Sequence, residues 1–491
     1  MNVVFILSDQ HNVEFSGCYG GPTRTPNLDE LAAGGARFEA AYCNSPLCTP
    51  SRASMFSGRY VHETGYWDNA TPYDGKIPGW GHYFHGKNVA FNIVGKVDLQ
   101  EGIDHGIGNQ RCVKLRHNFD PFTFYRNDKV PRYSHLANPW VVSPRPEGTL
   151  WERDDKITKE AIRWLKEDRP NDRPWVLDVH YFHPHPRYEP VRSRFEYYLK
   201  TLPEDIAEKY RQPCDDLHPV DQAQSFHSCG YMKPDTEIRP MHAGYHAQIE
   251  ETDLEIGRVL NALEELGLRE DTLVIYSSDH GEMARAHGTL GKIALYDDAA
   301  RVPLIVNGPG IPAEVICETP VSLIDIYPTV SEAVGIPSAC FARGRSVLGL
   351  ARDEADPERP DFVFSESHGN GRITGTFMIR HGDWKLLEYV GYDPVLFNLK
   401  DDPEELNNLV ATESGMESVQ QQLYALRRRL SSVCSPEAVN ARAFNEQQAR
   451  KMQLAQTGRL QAELVKRGMQ PDVERLVPDA ALIKEHYGID I

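Results

Sequence analysis

The chain has 491 residues, of which 25% are charged and 40% hydrophobic, and its formal net charge is -18. This length predicts one large domain with a smaller second one, and the composition is typical of an acidic globular protein. A nucleic-acid-binding protein needs a basic face, so we expect no nucleic-acid partner. An anionic substrate would have to be bound by a few locally placed cations.

The cysteines indicate neither a disulfide framework nor a zinc site, because their number is odd and none has C-x-x-C spacing. The apolar run 3–7 has no basic segment before it and is too short for a signal peptide or a membrane span. We therefore expect a cytoplasmic protein without a membrane segment. The nine cysteines are Cys18, Cys43, Cys48, Cys112, Cys214, Cys229, Cys317, Cys340 and Cys434.

The first predicted strand is the apolar run 3–7, which is followed by Ser8, Asp9 and Gln10. A continuous apolar run of this kind is typical of a buried parallel strand, and ligands of open α/β sheets bind at the carboxyl edge. Asp9 is therefore either a metal ligand or the cap of a following helix.

The segment 48–52 places Cys48, Pro50 and Arg52 at the predicted start of a helix. Proline suits an early helical position, and the positive helix end beside a fixed cation suits an anion. A lone cysteine at such a turn is more often a buried core residue, whereas here it has the surroundings of a nucleophile.

Two further predicted strands, 88–94 and 174–181, are also followed by polar residues. Lys96 and Asp98 come just after the first of them. The second leads into a segment in which two histidines alternate with prolines. Of these histidines we choose His185 over His183 as the site residue, because it lies between two prolines.

A helix predicted at 242–266 leads into an apolar strand, 272–278, which ends in Asp279 and His280. Adjacent polar residues at the end of a buried strand repeat the arrangement after the first strand. Each can offer oxygen or nitrogen to a cation. Lys292 follows as either a surface charge or an anion-binding residue.

The pattern changes beyond about residue 365. Segments 377–380 and 384–389 predict a hairpin, and 394–399 predicts another short strand. An amphipathic helix follows from about 415, and we expect the tail to form a homo-oligomer contact. The irregular segments 104–150 and 186–240 are expected to form the walls of a substrate site.

These motifs, in this order, resemble the type I sulfatases of the alkaline phosphatase superfamily. The resemblance rests on the C-x-P-S-R string at 48–52, on "TPNLD" at 25–29 and on "SDHGE" at 278–282. It implies an α/β fold with a mixed, mostly parallel sheet sandwiched by helices. It also implies a catalytic domain, 1–365, and a C-terminal subdomain, 366–491, with a small antiparallel sheet and a helical tail.

The resemblance further implies a hydrolase that releases inorganic sulfate from small anionic sulfate esters. In this family a formylglycine-generating enzyme oxidises the cysteine, and the hydrated aldehyde, a gem-diol, attacks sulfur with the assistance of a metal. The implied metal ligands are Asp9, Gln10, Cys48, Asp279 and His280. The implied catalytic residues are Cys48, Arg52, Lys96, Asp98, His185 and Lys292.

Three positions depart from the commonest family pattern. Asp98 stands where a histidine is usual. It is therefore either the base for the elimination of sulfate from residue 48 or a residue that only orients Lys96. Many sulfatases carry Asp and Asn ligands here and bind Ca²⁺, which favours Ca²⁺. Gln10 and His280 instead resemble the choline-sulfatase and phosphonate-hydrolase branches, so Mn²⁺ and Mg²⁺ stay as alternatives. The alternative activities are phosphonate monoester or phosphodiester hydrolysis by the same site, or an inactive anion-binding protein. The sulfate ester is aryl, choline-like or a uronate 2-O-sulfate.

Overall fold

The computed structural model describes residues 1–106, 113–116, 140–209, 217–228, 235–370 and 372–466. Parts of the two predicted irregular segments, and the end of the tail, lie outside these ranges. Within them, no helix combines the length and the apolar character that a membrane crossing needs.

The strands are β1 (Asn2–Asp9), β2 (Ala36–Phe38), β3 (Ala41–Tyr42), β4 (Ala90–Gln100), β5 (Val113–Arg116), β6 (Trp175–Pro184), β7 (Thr272–Ser278), β8 (Leu304–Asn307), β9 (Val315–Cys317), β10 (Val321–Ser322), β11 (Val363–Ser367), β12 (Thr376–His381), β13 (Trp384–Tyr389) and β14 (Val395–Asn398). The helices are α1 (Pro26–Ala33), α2 (Cys48–Ser57), α3 (Val61–Thr64), α4 (Trp80–His85), α5 (Glu152–Glu167), α6 (Arg192–Thr201), α7 (Ile206–Lys209), α8 (Pro219–Ser228), α9 (Asp235–Glu265), α10 (Asp297–Ala300), α11 (Ile326–Ala333), α12 (Leu348–Ala351), α13 (Leu409–Thr412), α14 (Glu417–Val433), α15 (Pro436–Gln456) and α16 (Arg459–Lys466).

Eight strands form the large sheet in the order β5-β4-β6-β1-β7-β8-β2-β9. The first five run parallel, whereas β8 is antiparallel to both of its neighbours. The predicted mixed, mostly parallel sheet is confirmed. Because β1 lies in the middle, its carboxyl end meets the carboxyl ends of β6 and β7 at one edge.

Alternate residues of β1 belong to two cores on opposite faces of this sheet. Phe5 belongs to the core that α2, α4 and α11 cover, together with Phe56 and Trp80. Ile6 belongs to the core that α1, α5 and α9 cover, together with Ile157. Successive side chains of a strand point to opposite faces, so a strand that is covered on both faces has apolar residues at every position.

The four-stranded sheet β11-β12-β13-β14 is antiparallel, as predicted for the C-terminal part. One face packs on α14 through residues such as Phe377 and Leu426. The other face packs on the large domain, where Met378 and Leu387 share a core with Leu295.

Glu366, a buried residue of β11, joins this sheet to the segments before and after α2. Glu366 on β11 accepts hydrogen bonds from His62 Nδ1 at 2.9 Å and His368 Nε2 at 2.8 Å. Its backbone N–H donates to the carbonyl of Asn44 at 2.9 Å. The C-terminal sheet therefore braces the loop that leads to Cys48.

The prediction that the second strand ends at Val94 was wrong, because β4 continues to Gln100. Gly95 has φ of 102°, and a Cβ there would lie 1.9 Å from the carbonyl oxygen of His180 on the neighbouring strand. Glycine therefore lets the strands approach closely instead of ending the strand. As a consequence, Lys96 and Asp98 lie inside a buried strand.

Candidate active site

The ends of β1 and β7 bring two carboxylates together beneath Cys48. Asp9 is the last residue of β1, and Asp279 follows β7, so the parallel pairing of these strands places both at one edge. Gln10 turns away from β1 with φ of 71°, and its N–H donates to Asp279 Oδ1 at 3.1 Å. All three side chains are buried.

Cys48 is the first residue of α2, and its side chain lies at the centre of the cluster. Its Sγ lies 3.0 Å from Lys292 Nζ and 3.7 Å from Lys96 Nζ. It also lies 3.4 Å from His280 Nε2 and 3.9 Å from Asp9 Oδ1. A group bonded at position 48 therefore has cations on two sides and metal-binding atoms on a third.

The cations around Cys48 outweigh the effect of burial on ionisation. Burial and the Asp9 carboxylate disfavour the thiolate, but Lys292 and Lys96 hold the pKa of the thiol well below its usual value. Burial also disfavours ionised Asp9, yet Lys96 and its other cationic neighbours hold the pKa of that carboxyl well below its usual range. The pocket therefore stabilises negative charge at position 48.

Arg52 lies one turn after Cys48 on α2 and has an exposed fraction of only 1%. Its Nε donates to Asp279 Oδ2 at 2.8 Å, and its Nη2 donates to Asp9 Oδ2 at 3.2 Å. The Arg52 guanidinium therefore bridges the carboxylates of two different strands.

Lys96 and Asp98 reach the cluster from β4. Lys96 Nζ donates to Asp9 Oδ2. Asp98 Oδ2 lies 3.7 Å from Lys96 Nζ and 3.9 Å from Arg52 Nε, and the backbone of Asp98 is left-handed with φ of 54°. Burial opposes the charge of Lys96, but Asp9 raises the pKa of its ammonium above the usual value. Lys96 is therefore a cation here and not a base.

Four residues could hold a metal ion, because one ligand atom from each lies within 4.8 Å of the others; they are Asp9, Cys48, Asp279 and His280. The ring of His280 is oriented for this role. Its Nδ1–H donates to the carbonyl of Gly281 at 2.9 Å, so the lone pair of Nε2 faces the cluster.

The amide of Gln10 is also oriented by its neighbours. Its Nε2 donates to Glu282 Oε2, and its Oε1 accepts a hydrogen bond from Lys292 Nζ at 2.8 Å. Glu282 is in turn fixed by the N–H of Ala284 at 2.9 Å and that of Gly291 at 2.6 Å. The amide oxygen of Gln10 thus lies toward Lys292 and the metal-binding residues, and its nitrogen lies toward Glu282.

The two histidines at the end of β6 have different surroundings; His183 lies within the strand and His185 follows it. Burial lowers the pKa of His185, as does the charge of Lys292, and its Nδ1–H donates to the carbonyl of Pro186 at 2.6 Å. His183 instead stacks on Trp151, with ring centroids 4.0 Å apart. His185, the histidine predicted from the sequence, is therefore the one that lies within electrostatic range of Asp9 and Lys292.

The sulfatase family model matches residues 1–336, which is more than half of the chain. The chain belongs to the sulfatase family. A second model, that of the N-sulphoglucosamine sulphohydrolase C-terminal region, matches residues 285–433. This sulfatase hydrolyses sulfate esters.

Arylsulfatase K of Homo sapiens is 31% identical to this sulfatase over 471 residues, which cover 91% of this chain and 85% of the relative. Arylsulfatase K of Bos taurus is 32% identical over 435 residues, covering 84% and 78%. The similarity thus extends over both sheets and not over the signature motif alone.

Among solved structures, a phosphonate monoester hydrolase of Agrobacterium radiobacter has a TM-score of 0.69 at 22% identity, over 87% of this chain and 95% of that one. A protein solved with its substrate D-glucosamine-2-N,6-O-disulfate has a TM-score of 0.66 at 21% identity, over 88% and 97%. At these identities the likeness concerns the fold.

Some side chains at the site were not assigned a role from the sequence. Asp178 and His180 interrupt the buried apolar strand β6, and such polar residues in a strand covered on both faces are a signal that they have partners. Glu282 lay within the "SDHGE" string, but its contact with Gln10 depends on the loop after β7 and has no sequence signal of its own.

Proposed function

We propose that this sulfatase reacts through formylglycine at position 48, formed from Cys48 by a formylglycine-generating enzyme. The observation that carries the proposal is the position of the Cys48 side chain. Lys292, Lys96 and His280 surround it within 3.7 Å, and Asp9 lies beside it. A hydrated aldehyde there offers one hydroxyl for attack and a second whose deprotonation expels the sulfate.

The donor set fits one hard divalent cation, and we propose Ca²⁺, with Mn²⁺ and Mg²⁺ as the alternatives. The carboxylates of Asp9 and Asp279 and the amide oxygen of Gln10 are ligands that such ions prefer. His280 and an oxygen of residue 48 would complete the set. When bound, the ion would make a hydroxyl of residue 48 more acidic and attract the sulfate oxygens.

The remaining polar side chains would each act on one part of the reaction. Lys292 and His185 would hold sulfate oxygens, and one of them would protonate the departing oxygen. Lys96 and Arg52 would stabilise negative charge at residue 48. Asp98 would accept a proton in the second half of the cycle.

The bonds and protons balance over the cycle. In the first half, an oxygen of residue 48 bonds to sulfur, the bond from sulfur to the ester oxygen breaks, and the alcohol leaves with a proton. In the second half, the base takes the proton of the remaining hydroxyl and the bond from carbon to the sulfated oxygen breaks. Sulfate leaves, and water adds to the regenerated aldehyde.

The test of this function is turnover of matched aryl esters by the full chain coexpressed with a formylglycine-generating enzyme. We expect the aryl sulfate to be cleaved with the higher kcat/KM, and removal of divalent ions by a chelator to abolish cleavage until Ca²⁺ is returned. A higher kcat/KM for the aryl phosphonate would favour the phosphonate hydrolase alternative, whose fold this chain shares. Cleavage of neither ester would contradict both.

Glu282 provides a separate test of the metal site, because it sets the orientation of the Gln10 amide. We expect Glu282→Gln to weaken Ca²⁺ binding by about 10- to 100-fold, the usual effect of removing a group that orients a ligand. An amide at position 282 can donate as well as accept, so the oxygen of Gln10 no longer faces the site in every molecule. Calorimetric titration of the chelator-treated protein measures the change without any turnover.

The matched control is Asp298→Asn, which replaces another acidic side chain near Glu282, one that is half-buried. Asp298 accepts a hydrogen bond from Asn12 Nδ2 at 3.3 Å and does not orient Gln10. Calcium affinity should stay within about threefold of the wild type in this variant. Equal losses in the two variants would show that any acid-to-amide change in this region, and not the orientation of Gln10, lowers the affinity.

A further inference from the structure

A buried chain of hydrogen bonds leads from β6 to the guanidinium of Arg52. His180 Nε2 lies 2.5 Å from Asp178 Oδ1, and His180 Nδ1 lies 2.7 Å from Arg52 Nη1. Asp178 and His180 have exposed fractions of 0%, and that of Arg52 is 1%. No solvent therefore competes for these contacts.

The contacts determine which ring nitrogen of His180 carries the proton. A guanidinium nitrogen can only donate, so His180 Nδ1 at 2.7 Å from Arg52 must accept. Nε2 then carries the proton and donates to Asp178. The Lys96 carbonyl lies 3.2 Å from Nδ1 and could accept a proton there, but it already accepts from Arg52 Nη1. A proton on Nδ1 would also meet the Arg52 cation at the shorter distance of 2.7 Å, so the opposite tautomer is disfavoured.

The ring of His180 is also held by packing. It stacks on Phe56, with centroids 6.0 Å apart and an interplanar angle of 15°, and meets the edge of Phe5 at 6.2 Å. Phe56 lies one turn after Arg52 on α2. The imidazole therefore cannot rotate toward another hydrogen-bond partner without disturbing the packing of the core.

The other contacts of Arg52 show what His180 contributes. The two hydrogens of Nη1 go to the carbonyl of Lys96 and to His180 Nδ1. Nε donates to Asp279, and one hydrogen of Nη2 goes to Asp9. Four of the five N–H groups of the guanidinium thus have acceptors among the described residues, and the second N–H of Nη2 is the one available to an adduct at residue 48. His180 is the neutral acceptor that fixes the rotation of the guanidinium plane without adding another negative charge.

We propose that His180, held in one tautomer by Asp178, is a positioning residue that aligns Arg52 with residue 48. The inference rests on the proposed role of Arg52 in stabilising charge at residue 48. His180 contacts Arg52 and the Lys96 carbonyl and does not contact Cys48. Its effect should therefore appear in the chemical step and pass through Arg52.

The first experiment reads the tautomer directly and needs no turnover. In ¹⁵N-histidine-labelled full-length protein, the His180 resonances, identified by their loss in His180→Asn, should show an unprotonated Nδ1 and a protonated Nε2. In Asp178→Asn the amide oxygen can still accept from Nε2 and Arg52 still donates to Nδ1, so we expect the same tautomer with a weaker hydrogen bond at Nε2. A protonated Nδ1 in the wild type would overturn the proposal.

The second experiment is a double-mutant cycle in kcat with protein matched for aldehyde content. In the wild-type background, His180→Leu should lower kcat about 10- to 100-fold with little change in KM. In an Arg52→Lys background, the same substitution should lower kcat by less than about threefold. His180→Asn keeps an acceptor oxygen for Arg52 and should recover most of the loss. The same factor in both backgrounds would mean a structural role only and would overturn the proposal.

His183→Asn is the matched control, since His183 is another buried histidine of β6 whose partner is Gln248, at 3.0 Å, instead of Arg52. His183→Asn should change kcat by the same factor in the wild-type background and in the Arg52→Lys background. If residue 48 carries no aldehyde and no variant turns over, the proposed function fails. The resonances of His180 still decide whether the hydrogen-bond chain exists.

Discussion

Replacing Cys48 with alanine is expected to lower kcat/KM for an aryl sulfate by a factor on the order of 10⁴ or more, because it removes the nucleophile altogether. Metal affinity should fall much less, since Asp9, Asp279 and His280 stay in place. Steady-state kinetics and calorimetric titration measure the two quantities. Loss of the bound ion to the same extent as activity would mean that Cys48 acts mainly as a ligand.

Cys48→Ser is the informative companion variant, because it keeps an oxygen nucleophile but cannot form a geminal diol unless the serine is itself oxidised. Its sulfated ester could be resolved only by water. We expect a burst of alcohol of at most one equivalent per site, followed by very slow turnover. Sustained turnover with an unmodified serine would contradict the elimination step.

Asp98→Asn is expected to lower kcat by about 10² to 10⁴, the range for removal of a general base, while the burst of alcohol persists. Lys96 is held as a cation by Asp9, so it cannot take over as base. Asp98 lies within 4 Å of both Lys96 and Arg52, which places its carboxylate beside the groups that stabilise residue 48. Rapid quench measures the burst, and steady-state kinetics measure the later phase.

Asp98→His is the control, because histidine is the residue that resembling sulfatases carry in this position. It should retain turnover better than Asp98→Asn, since it restores a base. Equal losses of burst and steady-state rate in Asp98→Asn would mean that Asp98 only orients Lys96 and Arg52.

The residues at the ends of β1 and β7 could be predicted because their signal is local. Each apolar run is covered on both faces and ends abruptly in polar residues, and parallel strands deliver such ends to one edge. Asp9, Asp279 and His280 follow from this pattern alone. The placement of Cys48 above them depends on α2 and was implied by the resemblance.

The length of β4 could not be predicted, because the reason lies on another strand. Gly95, Lys96 and Asp98 look like a loop in sequence, yet the close approach of His180 requires the glycine, and the two charged residues find partners in Asp9 and Arg52. Tertiary partners here override the local preference for a turn.

The conformation of the loop after β7 also could not be predicted from the local sequence. Ala284, Arg285, His287 and Ile293 all have positive φ, although none of them is glycine or asparagine. Surrounding contacts must hold such a backbone, so the sequence could not indicate that Glu282 would meet Gln10. Lys292 was placed by resemblance alone.

Peptide mass spectrometry shows directly whether residue 48, at the centre of the proposed metal site, is a formylglycine. The peptide containing residue 48 is measured in protein coexpressed with a formylglycine-generating enzyme and in protein expressed without it. We expect the mass of the aldehyde or its hydrate in the first sample, with aryl sulfate turnover proportional to the converted fraction. An unmodified Cys48 thiol in protein that still cleaves the ester would show that the reaction does not go through formylglycine.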